Sequence, residues 1–181
     1  MNLMGKRILL RELKLDDMPL LNSLMNDPSI CDNVVGWSKP VTMEEQVSWF
    51  KNLNNDNTIR YAICDKKKID IIIGTIVISR IDWKNRSCSI DIKISNKKQG
   101  RGYGKNAIFL VEKYIFNELN MNRIAINILE TNYSSRRVFE KCGFMIEGIQ
   151  KQAIYKNGKY NSLMNYAILK KDFKKYERNW K

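Results

Sequence analysis

Apolar positions along this chain change rhythm several times, and each change marks an element. Ile8, Leu9 and Leu10 with Leu13 predict a first strand. Leu20, Leu21, Leu24 and Met25 then recur at helical spacing behind Asp16 or Asp17 as N-cap, and Asn26-Asp27-Pro28 ends that helix. Thr42 followed three residues later by Glu45 is a capping box, and Met43, Val47, Phe50 and Leu53 form the apolar stripe of a second helix. Three β-rich runs follow, Ile59 to Cys64, Ile69 to Ile81 and Ser87 to Ile94. Lys66-Lys67-Lys68 and Trp83-Lys84-Asn85-Arg86 separate them, which predicts an antiparallel meander.

Beyond a Gly-rich segment, Ala107, Ile108, Val111, Tyr114, Ile115 and Leu119 return to the helical period. Arg123 to Leu129 reads as a strand, and a further helix starts at Asn132. Strands around Met145 to Ile154 and Leu163 to Leu169, joined by an Asn157-Gly158 turn, close the pattern as a hairpin. The class is α+β, helices lie between strands in the middle, and nothing divides 1–181 into more than one domain.

With 181 residues, 44 % of them hydrophobic and 28 % charged, the chain can bury one core. It contains no histidine, which excludes Ser-His-Asp and Cys-His devices and any metal site that needs imidazole. Cys31, Cys64, Cys88 and Cys142 never form a C-x-x-C pair, so no zinc or thioredoxin motif is expected, and no metal. Scattered thiols without an export signal point to the cytoplasm, and no apolar run approaches the ~20 residues of a membrane helix. The net charge of +13 draws polyanions, among them nucleic acid, anionic lipid and phosphorylated small molecules. A lysine-filled solvated surface explains the same number, and neither the aromatic signature of an RNA-binding sheet nor a basic recognition helix is present, so no specific nucleic-acid partner is expected.

The densest chemical signal is Gln99-Gly100-Arg101-Gly102-Tyr103-Gly104-Lys105, after a strand and opening a helix. Alternating glycines let the backbone turn tightly and approach a ligand closely, with N–H groups aimed outward at a helix N-terminus, an arrangement suited to phosphate. Asn106 stands where a P-loop has Ser or Thr, and the G-x-G-x-G spacing is not the dinucleotide fingerprint. A second block runs from Leu129-Glu130-Thr131-Asn132 through Arg136-Arg137-Val138-Phe139-Glu140-Lys141 to Cys142-Gly143-Phe144, a strand end, an Asn cap, a short helix and a Gly-Phe exit.

Together these blocks resemble the GNAT superfamily of acyl-CoA-dependent N-acetyltransferases, the first its Q/R-x-x-G-x-G/A pyrophosphate loop and the second its N-x-x-(A/S)-x-x-x-(Y/F)-x-K-x-G-F segment. The resemblance runs from Arg7-Ile8-Leu9-Leu10-Arg11 to Asn157-Gly158-Lys159-Tyr160, towards the branch of ribosomal-protein N-terminal, spermidine and nucleotide-aminosugar acetyltransferases. It implies a mixed, mostly antiparallel sheet of about seven strands with about four helices, its parallel pair splayed where acyl-CoA enters. It implies acetyl-CoA as cosubstrate, its pyrophosphate held by the N–H groups of Arg101, Gly102, Tyr103, Gly104 and Lys105, with Gln99 starting the loop. Ile92 and Ile94 would pair with the pantetheine arm, with the Ile92 N–H as oxyanion donor, and Asn132 would contact the same arm. Ser134, Arg137 and Lys141 are candidates for the rest of the cofactor; for the last two a solvated helix face is the other reading.

The implied reaction is attack of a neutral primary amine on the thioester, which calls for a base, an oxyanion donor and an acid for the thiolate. Phe139 stands where many relatives carry the acid tyrosine, so Tyr133 and Tyr155 are the candidate replacements, or water serves. Asp91, on the strand face opposite Ile90 and Ile92, is the first candidate base and Glu130 the second. Trp37, Trp49 and Tyr155 are expected at the acceptor site, where Glu44 and Glu45 could steer a cation. The basic composition disfavours a polyamine and suits a peptide N-terminus or a nucleotide-linked aminosugar; Thr42 to Phe50 with Ile59-Arg60-Tyr61 resembles the aminosugar enzymes. The alternatives are an acyl-CoA-binding protein without turnover, which Phe139 keeps open, and a spermidine or polyamine acetyltransferase, and the protein is expected as a monomer or homodimer.

Overall fold

A computed structural model describes residues 1–36, 39–54 and 56–177. Eight strands form one sheet in the order β1-β2-β3-β4-β5-β6-β8-β7: β1 (Leu3–Met4), β2 (Ile8–Arg11), β3 (Ile59–Asp65), β4 (Lys68–Asp82), β5 (Ser87–Ile94), β6 (Arg123–Leu129), β7 (Met145–Lys156) and β8 (Lys159–Leu169). Every neighbouring pair is antiparallel except β5 and β6, so the α+β class and the mostly antiparallel sheet hold. The α-helices among the described residues are α1 (Met18–Asn26), α2 (Pro28–Cys31), α3 (Met43–Lys51), α4 (Tyr103–Lys113), α5 (Tyr133–Glu140) and α6 (Lys170–Glu177).

Strand alternation sorts the core onto the two faces of the sheet. Ile8, Leu10, Ile63, Ile76, Ile78 and Ile90 meet Ala107, Ile108 and Val111 of α4 on one face. Leu9, Ala62, Cys64 and Ile72 meet Met18, Leu21 and Leu24 of α1 on the other. Asn157 (φ +50°) and Gly158 (φ +78°) both adopt the left-handed conformation that a two-residue hairpin needs, as the sequence predicts.

The helix starts show where pattern reading succeeds and where it misassigns a side chain. Thr42 accepts from the Glu45 N–H at 3.1 Å and the Glu45 carboxylate accepts from the Thr42 N–H at 2.7 Å, the predicted box. Asp17 does not cap α1. Its carboxylate is buried, accepting two bonds at 2.8 Å from the Arg11 guanidinium and one from the Lys14 N–H, which locks the end of β2 to the helix entry. On α3 Val47 and Phe50 pack against the core as expected, with Gln46 buried beside them, whereas Met43 is 42 % exposed. Asn26-Asp27-Pro28 ends α1 and also starts α2, because Asp27 accepts from the Ser29 N–H.

Candidate active site

The parallel pair β5 and β6 is joined only at Ser87–Arg123 and Cys88–Ile124; beyond these residues the strands part. β5 stays paired with β4 as far as Ile94, and β6 with β8 as far as Leu129, so a wedge opens between two firmly held edges. Gly74 of β4 sets the far wall: a Cβ there would lie 2.2 Å from the Lys93 carbonyl oxygen, so only glycine lets β4 approach β5 this closely.

At the mouth of the wedge, Gly100 (φ +71°) and Gly102 (φ +80°) take left-handed conformations that turn the chain into α4, with Gly102 at its N-cap. The N–H groups of a helix's first turn have no acceptor within the helix, and the helix dipole adds positive potential there. Gly104, in that turn, faces the wedge; a Cβ on it would touch Ile94 Cδ1 at 3.4 Å. The loop is fastened from behind. Tyr103 donates its hydroxyl to Asp65 at 2.6 Å, and Arg7 donates to the Arg101 carbonyl at 2.9 Å while lying over the Tyr103 ring. The hydroxyl bond holds the Asp65 carboxyl below the ordinary carboxylate value and pushes the tyrosine up. Gln99 folds back to the Ile94 carbonyl and the Asn96 side chain.

A cleft of about 400 Å³ occupies the wedge. Of the sequence-predicted cofactor residues it gathers Ile92, Ile94, Gln99, Gly102, Tyr103, Gly104 and Lys105 from the β5–α4 side, and Asn132, Ser134 and Lys141 from α5. Two predicted residues are not brought in: Arg101 reaches the loop through its carbonyl, and Arg137 is exposed on α5. Asn132 is buried with its amide already engaged, accepting from the Ser135 N–H and the Ser134 hydroxyl and donating to the Asn33 carbonyl at 2.9 Å. It therefore ties the segment after α2 to the start of α5. Sequence reasoning missed that segment, although Ser29, Ile30, Asn33 and Val34 line the cleft; the signal was Asp27-Pro28, a cap followed by a proline at the first helical position.

A second cavity of about 550 Å³ lies on the α1–α3 side of the sheet, lined by Leu21, Leu24 and Met25 of α1 and by Trp49, Arg60, Lys39, Glu45, Asp91 and Lys93. Trp49 lines this cavity, with the Arg60 guanidinium 5.9 Å from its ring centre. Asp91 is exposed on the cavity rim and accepts from the Ser79 hydroxyl at 2.9 Å. Tyr155 lines an adjoining hollow that shares Met25, Lys39 and Pro40 with this cavity, its ring edge-on to Tyr160. Trp37 lies outside the described residues. Lys93 lines both the wedge and the second cavity. Strand alternation puts it on the face of Asp91, so the same rule that singled out Asp91 would have found it. Burial pushes its ammonium down from the ordinary lysine value, against an opposing pull from Asp91.

Two candidate catalytic groups lie elsewhere. The Glu130 carboxylate accepts from the Ser162 N–H at 2.7 Å, binding β6 to β8, and lines neither cavity. Tyr133 is 66 % exposed beneath the Arg136 guanidinium and also lines neither. Phe139 faces the wedge with its ring packed edge-on to Phe144 at 5.0 Å. Among the described residues no cluster of three His, Cys, Asp or Glu could hold a metal, and no helix is long and apolar enough to cross a membrane.

Comparison with known proteins gives a consistent picture. The Acetyltransferase (GNAT) domain family matches residues 7–145. The chain is 24 % identical over 172 residues to spermidine N(1)-acetyltransferase of Vibrio cholerae, covering 94 % of this chain and 97 % of that one. It is 33 % identical over 102 residues to a putative ribosomal N-acetyltransferase of Bacillus subtilis, 56 % of each chain. The crystal structure of the Vibrio cholerae spermidine N-acetyltransferase in complex with CoA and spermine superposes with a TM-score of 0.83 at 24 % identity, over 93 % of this chain and 99 % of that one, a likeness of fold.

Proposed function

The chain belongs to the GNAT acetyltransferase family, and from that premise we propose that it is a cytoplasmic N-acetyltransferase for the primary amine of a peptide N-terminus or a nucleotide-linked aminosugar. Acetyl-CoA is the donor, and the observation that carries its placement is the wedge between β5 and β6 with a glycine-turned helix start at its mouth. The residues fit that group: a loop free of side chains at Gly100, Gly102 and Gly104 for the pyrophosphate, an open β5 edge at Ile92 and Ile94 for the pantetheine, and Lys105 and Lys141 nearby as countercharges. Acetyl-CoA brings an activated thioester; the protein supplies position and proton handling.

In this reading the acceptor enters through the Trp49 cavity, with its amine towards the wedge. Asp91, at the cavity rim, takes the proton of the incoming ammonium directly or through water, which frees the nitrogen lone pair. The new C–N bond forms as the C–S bond breaks, with the Ile92 N–H facing the developing oxyanion. The nitrogen of the new amide sheds its second proton, and because Phe139 offers none, that proton passes through water to the departing thiolate; Tyr133 and Glu130 are engaged away from both cavities. A polyamine acceptor is the second reading, favoured by the similarity to spermidine acetyltransferases.

Calorimetry with acetyl-CoA on the wild type, Gly102→Glu and Gly102→Ala tests the donor site. Both variants strain a left-handed residue, and only glutamate brings charge against the pyrophosphate. Micromolar binding that survives alanine far better than glutamate is expected. A folded wild type that binds no acetyl-CoA would refute the reading, and binding with no amine-dependent thiol release across a panel of peptides, aminosugar nucleotides and polyamines would leave an acyl-CoA binder without turnover.

A further inference from the structure

The Trp49 cavity is apolar over most of its lining, yet three cations, Lys39, Arg60 and Lys93, reach it together with only two carboxylates, Glu45 and Asp91. Glu45 is committed to the capping box and Asp91 accepts from Ser79. Lys93 is the unusual one. Among the described residues its hydrogen-bond partner is the Met25 thioether at 2.9 Å, a weak acceptor for a group with three donors, and none of the ion pairs includes it. A half-buried ammonium held against sulfur loses hydration and regains chiefly the attraction of Asp91, a carboxylate on the exposed rim that already accepts from Ser79. A chain optimised for packing alone would place an aliphatic residue here, as at Ile90, Ile92 and Ile94 of the same strand.

We propose that Lys93, at the junction of the donor wedge and the acceptor cavity, selects acceptors that carry an anionic group, carboxylate or phosphate, alongside the reacting amine, and disfavours polyamines. The inference rests on the acetyltransferase reading and narrows it. An acceptor carboxylate or phosphate would give the Lys93 ammonium the acceptor it lacks in a partly desolvated setting, where a charge-assisted hydrogen bond is strong. Lys39 and Arg60 extend the same positive potential across the cavity. A second ammonium on the acceptor would instead meet like charge beside a partly desolvated lysine. Burial, which pushes the Lys93 ammonium down, makes an anionic partner more valuable by restoring the charged form.

Matched amines separate charge from size: 4-aminobutanoate, butylamine and 1,4-diaminobutane, with glucosamine against glucosamine 6-phosphate. kcat/KM is measured by thiol release, and Kd by calorimetry on the CoA-loaded protein, for wild type, Lys93→Met and Lys93→Arg. The wild type is expected to favour each anionic member over its neutral partner, and over the diamine by about tenfold or more, the scale of a hydrogen bond to a charged group. Lys93→Met should bring these ratios to within about threefold, while Lys93→Arg keeps the order. A wild type that uses the diamine as well as the anionic amine overturns the proposal. So does a Lys93→Met enzyme with unchanged ratios, or a CoA-loaded wild type that neither acetylates nor binds any of the five. Acetyl-CoA binding is the control: its absence in the wild type defeats the acetyltransferase reading itself, and its loss only on Lys93→Met would make Lys93 a donor-site residue and refute the acceptor role.

Discussion

Glu112 lies on α4, fully buried among the aliphatic residues that pack this helix to the sheet, and neither carboxyl oxygen has a hydrogen-bond partner. Burial pushes its pKa well above the ordinary 4.5. Cys142 and Tyr176 lie close enough to feel it, and burial drives both of those upward too, so the pocket accommodates neutral acids. Replacing Glu112 with Met keeps a side chain of similar length and removes a polar group that the fold leaves unsatisfied, a change worth about 1–3 kcal/mol. The pH dependence gives the sharper test. The folded state holds a proton that the unfolded chain releases above about pH 4.5, so wild-type stability falls as pH rises from there towards the folded-state pKa. The slope approaches ~1.4 kcal/mol per pH unit and levels off beyond that point. Urea denaturation of wild type, Glu112→Met and Glu112→Gln between pH 5 and 8 reads this directly. The Tm of the Met variant should lie about 3–9 °C higher near pH 5, where the linkage contribution is still small, and the gap should widen further by neutral pH. A difference that stays constant across the range, or a less stable Met variant at pH 7, would refute the buried-acid account.

Three other perturbations address the fold and the site. Asp17→Ala removes one partner of the buried Arg11 pair and should cost about 3–5 kcal/mol in urea denaturation, because it strands a buried guanidinium. Tyr103→Phe unfastens the phosphate loop from Asp65; it should destabilise by about 0.5–1.5 kcal/mol and weaken acetyl-CoA binding severalfold by calorimetry, with kcat largely kept. Phe139→Tyr puts a phenol into the wedge, and if thiolate protonation limits turnover, kcat should rise about tenfold or more with little change in the acetyl-CoA KM; an unchanged kcat would mean that protonation is not limiting.

The three-stranded meander, the glycine turn into α4 and the Asn132 cap could be read from the sequence because each is decided by residues close together in the chain: alternation for β3 to β5, left-handed glycines before α4, an Asn side chain over its own helix start. What escaped depends on distant partners. Asp17 has the residue type and position of an N-cap, and only the proximity of Arg11 across the β2 turn makes it an ion-pair member instead. α6 was not anticipated, since its buried Phe173 acquires meaning only against Phe109 and Phe116. Tyr133 and Glu130 were plausible by chain position beside Asn132, but Arg136 and the Ser162 N–H claim them.

The same distinction explains why the donor site is more readily read than the acceptor site. In the proposed function acetyl-CoA is grasped by backbone geometry at one strand and one helix start, which a short motif can encode. The acceptor cavity is assembled from side chains of α1, α3, β3, β4 and β5, so its specificity is spread over residues whose neighbours no motif records. β5 joins the two. Its period-two alternation sends Ile90 into the core beneath α4 and lines the wedge with Ile92 and Ile94, while Asp91 and Lys93 turn to the acceptor side. Gly74 allows β4 to hold that register from behind. A side chain there would push β5 at Lys93 and Ile94, where the two sites meet. Gly74→Val should therefore impair acetyl-CoA binding and acceptor discrimination together, whereas Gly102→Glu should act on the donor and Lys93→Met on the acceptor. Calorimetry and the matched-amine ratios on these three variants would show it, and a Gly74→Val protein that lost only one of the two functions would contradict the view of β5 as their common frame.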